Sequence, residues 1–248
     1  IAMGRTGTEV TKDASDMVIT DDDFASIVAA VEEGRGIFDN IRKTLLYLLA
    51  GNSAELGVMA ACIALGYPAP LLPVHLLWIN LVTDGLPALC LATDPIERDV
   101  MERPPRPVGQ SIADRPFLIG VVTTGLLTAA ISVAVYIYGF AYEDEGQART
   151  HAFAVLVFAE LLRAFSSRSE TRSIWSMGLL TNARLAAVVA VSFALQIAAH
   201  DLEPLRRVFK TSVLPWWESV LLVGVAALPV AVLELIKLAR RRAIAGVH

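Results

Sequence analysis

The stretch Leu77-Trp78-Ile79-Asn80-Leu81-Val82-Thr83-Asp84-Gly85-Leu86-Pro87 sets an amide, a hydroxyl and a carboxylate inside an apolar run that covers residues 71–92. As a helix rising about 1.5 Å per residue, this run is long enough to cross the roughly 30 Å hydrocarbon core of a bilayer. An ionisable group near the bilayer centre costs roughly 2.5–3.5 kcal/mol, so Asp84 requires a functional explanation. The stretch therefore predicts a membrane-spanning helix with a polar site inside the membrane.

The composition of the whole chain agrees with a membrane protein. Hydrophobic residues make up 55% of the 248 residues, charged residues make up 19%, and the mean hydropathy is +0.56. The formal net charge of -4 does not suggest nucleic acid as a partner. Cys62 and Cys90 are the only cysteines and lie in apolar runs, which excludes a disulfide scaffold.

Six stretches are apolar enough to be predicted as spanning helices, with bounds at about 44–65, 71–92, 117–139, 151–166, 183–199 and 217–238. The first is the apolar half of a helix predicted from Gly36 to about Leu65, and we expect its polar half to project from the membrane as a stalk. The fourth is short and carries Glu160 and Arg163. The predicted fold class is mainly α, with a six-helix membrane domain over residues 36–248.

Residues 1–35 have a different composition, with charges, Gly and Thr among short apolar strings. The pattern predicts a strand at the start, a helix over 9–15, a strand over 16–20 and a helix that begins after an acidic run at 21–23. This alternation is typical of the closing edge of an α/β domain. Because 35 residues cannot build a core alone, we expect this chain to be a piece of a longer polypeptide.

Basic residues in the predicted loops indicate the orientation of the chain, because cytoplasmic loops of membrane proteins are enriched in Lys and Arg. The loop at 93–116 carries Arg98, Arg103, Arg106 and Arg115, and the tail carries Lys237 and Arg240–Arg242. Of the loops on the opposite side, the one at 66–70 has no basic residue, whereas the one at 200–216 has three and does not follow this rule. We predict an integral, multi-pass protein with both chain ends on the cytoplasmic side.

Polar residues on the first two predicted spans share helix faces. Glu55 follows Asn52 at position i+3. Thr83 and Asp84 follow Asn80 at positions i+3 and i+4, so each group lies on one helix face. Two facing helices would bring amide, hydroxyl and carboxylate oxygens together, which are the ligands of a hard cation such as Ca²⁺. The sequence predicts a cation site, although interhelical hydrogen bonding is an equally good explanation for each neutral residue taken alone.

Two further features bear on this site. Gly85 and Pro87 follow Asp84 directly, and we expect the helix to break there, because proline lacks a backbone donor and frees a carbonyl that can bind a cation. Glu160 is the third intramembrane acid, and Arg163 at i+3 makes a structural ion pair as good an explanation as a ligand role. No phosphate-binding loop or catalytic constellation occurs, so no catalytic or cofactor-binding residue is predicted in this chain.

The motifs resemble those of one known family. Ile1-Ala2-Met3-Gly4, Ser15-Asp16-Met17-Val18 and Val31-Glu32-Glu33-Gly34-Arg35 resemble the end of the phosphorylation domain of type II P-type ATPases. Residues 77–87 closely resemble the sixth membrane helix of the calcium pumps of sarco/endoplasmic reticulum and their bacterial relatives, and 40–55 resembles the fifth. The resemblance implies that residues 1–35 close a Rossmann-like phosphorylation domain.

The resemblance implies an ATP-driven Ca²⁺ pump with ten membrane helices, of which this chain holds the last six. In the family an aspartate takes the γ-phosphoryl group of ATP with the help of Mg²⁺, and that aspartate and the nucleotide site lie outside this chain. The fragment alone is therefore expected to be inactive as an enzyme. The expected partners are the transported cation, membrane lipid and the N-terminal part of the same chain, in a bacterial plasma membrane.

Matched position by position, the family's cation ligands correspond to Asn52, Glu55, Asn80, Thr83, Asp84 and Glu160. Arg163 departs from the animal pumps. If its guanidinium reaches Glu160, a tethered positive charge would occupy one of two cation sites and leave one Ca²⁺ per cycle. Two alternatives remain open: a passive cation channel or ion-coupled secondary carrier, and a pump for Mn²⁺, Na⁺ or H⁺.

Overall fold

The computed structural model describes residues 1–97, 99–107, 109 and 111–245, and most of these are helical. Short strands and one short helix come first, followed by long and short helices joined by loops. The elements are β1 (Ala2–Met3), α1 (Glu9–Asp13), β2 (Val18–Ile19), α2 (Ala25–Ala64), α3 (Pro73–Trp78), a π-helical segment (Ile79–Gly85), α4 (Leu86–Ala92), α5 (Arg115–Tyr142), α6 (Glu145–Ser166), α7 (Ile174–Met177), a 3₁₀-helix (Leu179–Thr181), α8 (Ala183–Asp201), α9 (Glu203–Phe209) and α10 (Trp216–Ala245).

The N-terminal strands pair in parallel, and α1 lies between them in the chain. Ala2 is opposite Val18 and Met3 is opposite Ile19. Thr8 caps α1, because its side chain accepts a hydrogen bond from the backbone N–H of Thr11. The predicted strand, helix and strand are therefore present, in shorter form, and a Rossmann-like domain edge stays a prediction.

Helix α2 runs through the junction at which the sequence predicts two separate helices. It continues for 40 residues from Ala25 to Ala64, so the prediction of a separate helix that starts at Gly36 is wrong. Neither glycine at this junction breaks the helix: Gly34 lies in open space, and Gly36 packs against the side chain of Ile96. The division into domains at residues 35 and 36 stays a prediction.

Five helical stretches of the described residues are long and apolar enough to cross a membrane: Ala25–Ala64, Pro73–Ala92, Arg115–Tyr142, Ala183–Asp201 and Trp216–Ala239. The fourth predicted span, 151–166, is present as part of α6 but is not among these five. Helix α6 carries charged residues, and most of its side chains are buried against the other helices. The count of six spans therefore stays a prediction.

Small residues allow the helix backbones to approach closely, as in other membrane helix pairs. A Cβ at Gly125 of α5 would lie 2.8 Å from the Cβ of Ser53, and one at Gly139 would lie 2.9 Å from the Cα of Ala148 on α6. Helix α2 thus lies along α5, and α5 along α6. The core around α6 includes Phe153, which is fully buried.

A buried polar cluster connects the loop after α4 to α2, to the end of α6 and to the start of α8. Its members are Asn40, Lys43, Asp94, Arg168 and Asn182, and we call it the Asp94 cluster. The Arg168 Nε contacts the two Asp94 carboxylate oxygens at 3.1 and 3.3 Å, and the Asn182 amide donates to one of them at 2.7 Å. The Asn40 amide donates to the Asp94 carbonyl at 2.7 Å. Charges and amides satisfy each other here, as a buried polar network requires.

The arginines on which the predicted orientation depends are described in part. Arg103 contacts Asp39, Glu97 and Asp99 and so connects its loop to α2. Arg98 lies outside the described residues, as do the side chains of 240–245. The orientation of the chain stays a prediction.

Candidate functional site

The predicted site residues fall into a buried group and an exposed group. Glu55, Thr83, Asp84 and Glu160 are at most 5% exposed. Asn52 on α2 and Asn80 in the π-helical segment are exposed. The structure therefore brings the three acids and the hydroxyl into the interior of the helix bundle and leaves the two amides at its surface.

The helix that carries Asp84 widens instead of breaking. Residues 79–85 form a π-helical segment, and α4 continues from it with Pro87 as its second residue. The predicted break at Gly85 and Pro87 is therefore wrong. π-helical turns are frequent at functional sites, and this one presents the Thr83 carbonyl to the Tyr47 hydroxyl, which donates to it at 2.7 Å.

The acids on α2 and in the π-helical segment have buried oxygens without donors. The Asn80 amide donates to the Leu76 carbonyl at 2.8 Å and lies 3.5 Å from one Glu55 oxygen. The other Glu55 oxygen and both Asp84 oxygens have no hydrogen-bond partner among the described residues. Because an ionised carboxylate only accepts hydrogen bonds, buried oxygens without donors are suited to bind a cation.

Arg163 is held from two directions inside the bundle. One of its nitrogens pairs with Glu160, so the contact suggested by their i, i+3 spacing is present. Another donates to the backbone carbonyl of Tyr47 at 2.9 Å, and the guanidinium lies 4.5 Å from the centre of the Tyr47 ring. A positive charge thus stands beside the buried acids and is itself anchored to α2.

Gly51 is the point at which these charged groups meet. A Cβ at this position would lie 3.0 Å from Arg163 Nη2, 3.0 Å from Glu160 Oε2 and 3.2 Å from Asp84 Oδ2. We call this space the Gly51 hollow. Reasoning from the sequence misses both Gly51 and Tyr47, because a glycine and a tyrosine in an apolar helix look like packing residues.

The predicted ligands do not form a closed metal shell. Across the described part of the chain, no group of three or more His, Cys, Asp and Glu side chains is arranged to hold a metal ion. In addition, Asn52 and Asn80 lie at the surface, and the guanidinium of Arg163 lies among the acids. Cation binding by the six residues therefore stays a proposal.

Comparison with known proteins identifies relatives along nearly the whole chain. A family model described as cation transporting ATPase, C-terminus, matches residues 68–239. The chain is 43% identical to Calcium-transporting ATPase 1 of Bacillus cereus and 40% identical to the calcium-transporting ATPase of Bacillus subtilis, over 97% and 98% of its length. It is 36% identical to calcium-transporting ATPase type 2C member 2 of Mus musculus, over 96% of its length.

These relatives are much longer than this chain. The matches cover 29%, 27% and 25% of the three proteins. They favour the pump interpretation of the sequence over a passive channel or a secondary carrier.

Proposed function

This chain belongs to the cation-transporting ATPase family, of which it represents the C-terminal part, and from that premise we propose that it forms the ion-binding membrane part of an ATP-driven Ca²⁺ pump. The calcium-transporting ATPases to which it is similar support Ca²⁺ as the transported ion. The observation that carries the proposal is the buried, donor-free carboxylate oxygens of Glu55 and Asp84 on neighbouring helices.

We assign Asn52, Glu55, Asn80, Thr83, Asp84 and Glu160 as the residues of this chain that face the transported ion. Glu55 and Asp84 supply negative charge in the interior, and the amides of Asn52 and Asn80 supply neutral oxygens from the surface of the bundle. Ca²⁺ takes six to eight oxygen ligands, and parts of the protein outside this chain would add oxygens to those of the six residues. The exposure of the two amides is compatible with such a neighbour.

The coupling of the site to ATP would run through α2. This helix extends unbroken from the N-terminal strand pair to Glu55, so a movement of the segment before Ala25 is transmitted to one wall of the site. ATP and Mg²⁺ would be bound by residues outside this chain, and the ATPase activity belongs to the whole protein. The fragment alone would be inactive.

The proposed setting is a bacterial plasma membrane with six spans in this part of the protein, α6 being the fourth along the chain, and with both ends of the chain on the cytoplasmic side. Five spans have the length and apolar composition that this requires. Helix α6 is surrounded by its neighbours, so it does not need an apolar surface toward lipid. The proposed partners are the transported cation, membrane lipid and the remainder of the same polypeptide.

Arg163 supports a stoichiometry of one Ca²⁺ per ATP. Its guanidinium pairs with Glu160 and shares the Gly51 hollow with Asp84, so one positive charge is already built into the site. Measurement of Ca²⁺ transported per ATP in reconstituted vesicles tests this directly. A ratio of two in the unmodified pump would contradict it.

Asp84→Asn in the full-length protein tests the proposed function. We expect it to abolish Ca²⁺-activated phosphorylation from ATP, because it removes the buried charge that faces the ion. Asp201→Asn, at an exposed position at the end of α8, is the matched control and should retain phosphorylation. Full Ca²⁺ activation in Asp84→Asn would refute the assignment.

A further inference from the structure

The Gly51 hollow brings three charged side chains within reach of one backbone position. Because the three atoms lie 3.0–3.2 Å from the same point, no two of them are more than about 6 Å apart. Such a point is available only where the helix has no Cβ. The position of the charges thus depends on a residue that carries no functional group.

The groups around the hollow have little freedom to make room. Arg163 is 2% exposed and is tied to Glu160 and to the carbonyl and ring of Tyr47. Tyr47 is in turn tied to the Thr83 carbonyl. A Cβ contact at 3.0 Å requires the neighbour to move by a few tenths of an ångström, and here a movement of Arg163 disturbs the contacts of α2, α6 and the π-helical segment together.

The other glycines of α2 do not have this role. A Cβ at Gly34 would have no neighbour within 4 Å, and one at Gly57 would lie 3.0 Å from the Cβ of Ala129, an apolar contact. Gly51 and Gly57 are therefore equally close to a neighbouring helix, but Gly51 faces charges and Gly57 does not. This difference separates an effect on charge placement from an effect on helix packing.

We propose that Gly51 is a positioning residue of the cation site: its missing side chain provides the space that the Arg163 guanidinium needs beside Glu160 and Asp84. Residue 51 and residue 163 then act as a pair. A larger residue at 51 displaces the built-in charge, and with it the Asp84 carboxylate that faces the ion. The inference deepens the proposed function and rests on it for the identity of the ion.

The test compares Gly51→Ala in the unmodified full-length protein and in a neutral background, Glu160→Gln/Arg163→Met. In the unmodified protein we expect the Ca²⁺ concentration for half-maximal phosphorylation to rise about tenfold, a coupling of the size found between contacting residues. The neutral background lacks Glu160, which is assigned to the ion, so Gly51→Ala is compared there with the background's own half-maximal Ca²⁺ concentration, and by melting temperature if Ca²⁺ no longer activates it. We expect a change of less than about twofold, because an uncharged pair can shift without losing a buried ion pair. Gly57→Ala is the matched control, with an expected change of less than about twofold.

Three results would overturn the inference: an equal shift in both backgrounds, an equal shift from Gly57→Ala, or no shift from Gly51→Ala. If Gly51→Ala alone fails to fold, the same substitution in the neutral background shows whether the added side chain conflicts with the ion pair. Recovery of folded protein there supports a conflict with the ion pair, and continued failure refutes it.

The melting temperatures of the unmodified protein, the neutral background and the Gly51→Ala variant of each separate this inference from the proposed function, because they require no transport. Gly51→Ala should lower the apparent melting temperature of the unmodified protein and leave that of the neutral background within about 2 °C, the lower end of the shift for 1 kcal/mol in a domain of 150–250 residues. If the unmodified protein showed no Ca²⁺-activated phosphorylation, the proposed pump function would be refuted, and the melting temperatures would still test the role of Gly51. Equal melting shifts in both backgrounds would refute the role of Gly51.

Discussion

Replacement of Arg163 by methionine is expected to destabilise the protein strongly, because it leaves the fully buried Glu160 carboxylate without its counter-charge. Breaking a buried ion pair by removal of one partner costs about 3–5 kcal/mol. Loss of the hydrogen bond from Arg163 to the Tyr47 carbonyl adds about 1 kcal/mol. At about 2–4 °C per kcal/mol for a domain of 150–250 residues, the apparent melting temperature should fall by about 10–20 °C.

The assay is thermal unfolding of the full-length protein in detergent, with Arg163→Met measured beside Glu160→Gln/Arg163→Met. The double variant has no buried charge at this position, so it should recover most of the lost melting temperature. If the single variant is as stable as the double variant, Glu160 is not an uncompensated buried charge, and the reasoning is refuted.

Three further predictions concern other contacts. Tyr47→Phe removes the hydroxyl that donates to the Thr83 carbonyl, and the unsatisfied buried carbonyl should cost about 1–3 kcal/mol of stability. Hydrogen exchange in residues 79–85 should therefore become faster, and unchanged exchange would contradict the role of this bond. Asp94→Asn leaves the buried Arg168 without its carboxylate and leaves Lys43 paired with Glu97, and it should lower the apparent melting temperature more than the exposed control at the end of α8 does. The backbone N–H of Arg5 donates a hydrogen bond to the Asp22 carboxylate and holds the pKa of that carboxyl below its ordinary value. The ionised Asp22 therefore stabilises the folded N-terminal segment above the unfolded pKa of about 3.9, and this stabilisation is lost as the pH falls through the lower folded pKa. Proteolysis of residues 1–24 should therefore increase in acid in the unmodified protein, and Asp22→Gly, which suits the φ of 58° at this position, should lose that pH dependence.

The sequence predicts the helices well where length and apolar composition decide. Five of the predicted spans correspond to helices with these properties, and the strand, helix and strand near the N-terminus are also present. The prediction fails at the junction near Gly36, because two glycines near a change of composition resemble a helix boundary. The tertiary contact of Gly36 with Ile96 cannot be read from local composition.

The sequence predicts which residues belong to the candidate site, but it predicts much less about how these residues are arranged in space. Periodicity places Glu55 and Asp84 on helix faces, and the structure buries both. The same periodicity cannot show that Asn52 is exposed, since exposure depends on which neighbours are present. Nor can it distinguish a break near Pro87 from a π-helical segment, because both need only that the α-helical hydrogen-bond pattern be interrupted.

The π-helical segment at 79–85 also affects how this helix tolerates a change in length. A π turn holds about one residue more than an α turn, and each residue of an α-helix advances the chain by about 100°. Deletion of Leu81, an exposed side chain, would let the segment return to α-helical geometry, and α4 would nearly keep its orientation relative to α3. The buried face of α4, which includes Leu91, would then stay toward the core. Deletion of one residue within α4 itself would instead rotate the rest of that helix by about 100°, so the wide turn is a place where this helix can lose a residue without rebuilding its far end.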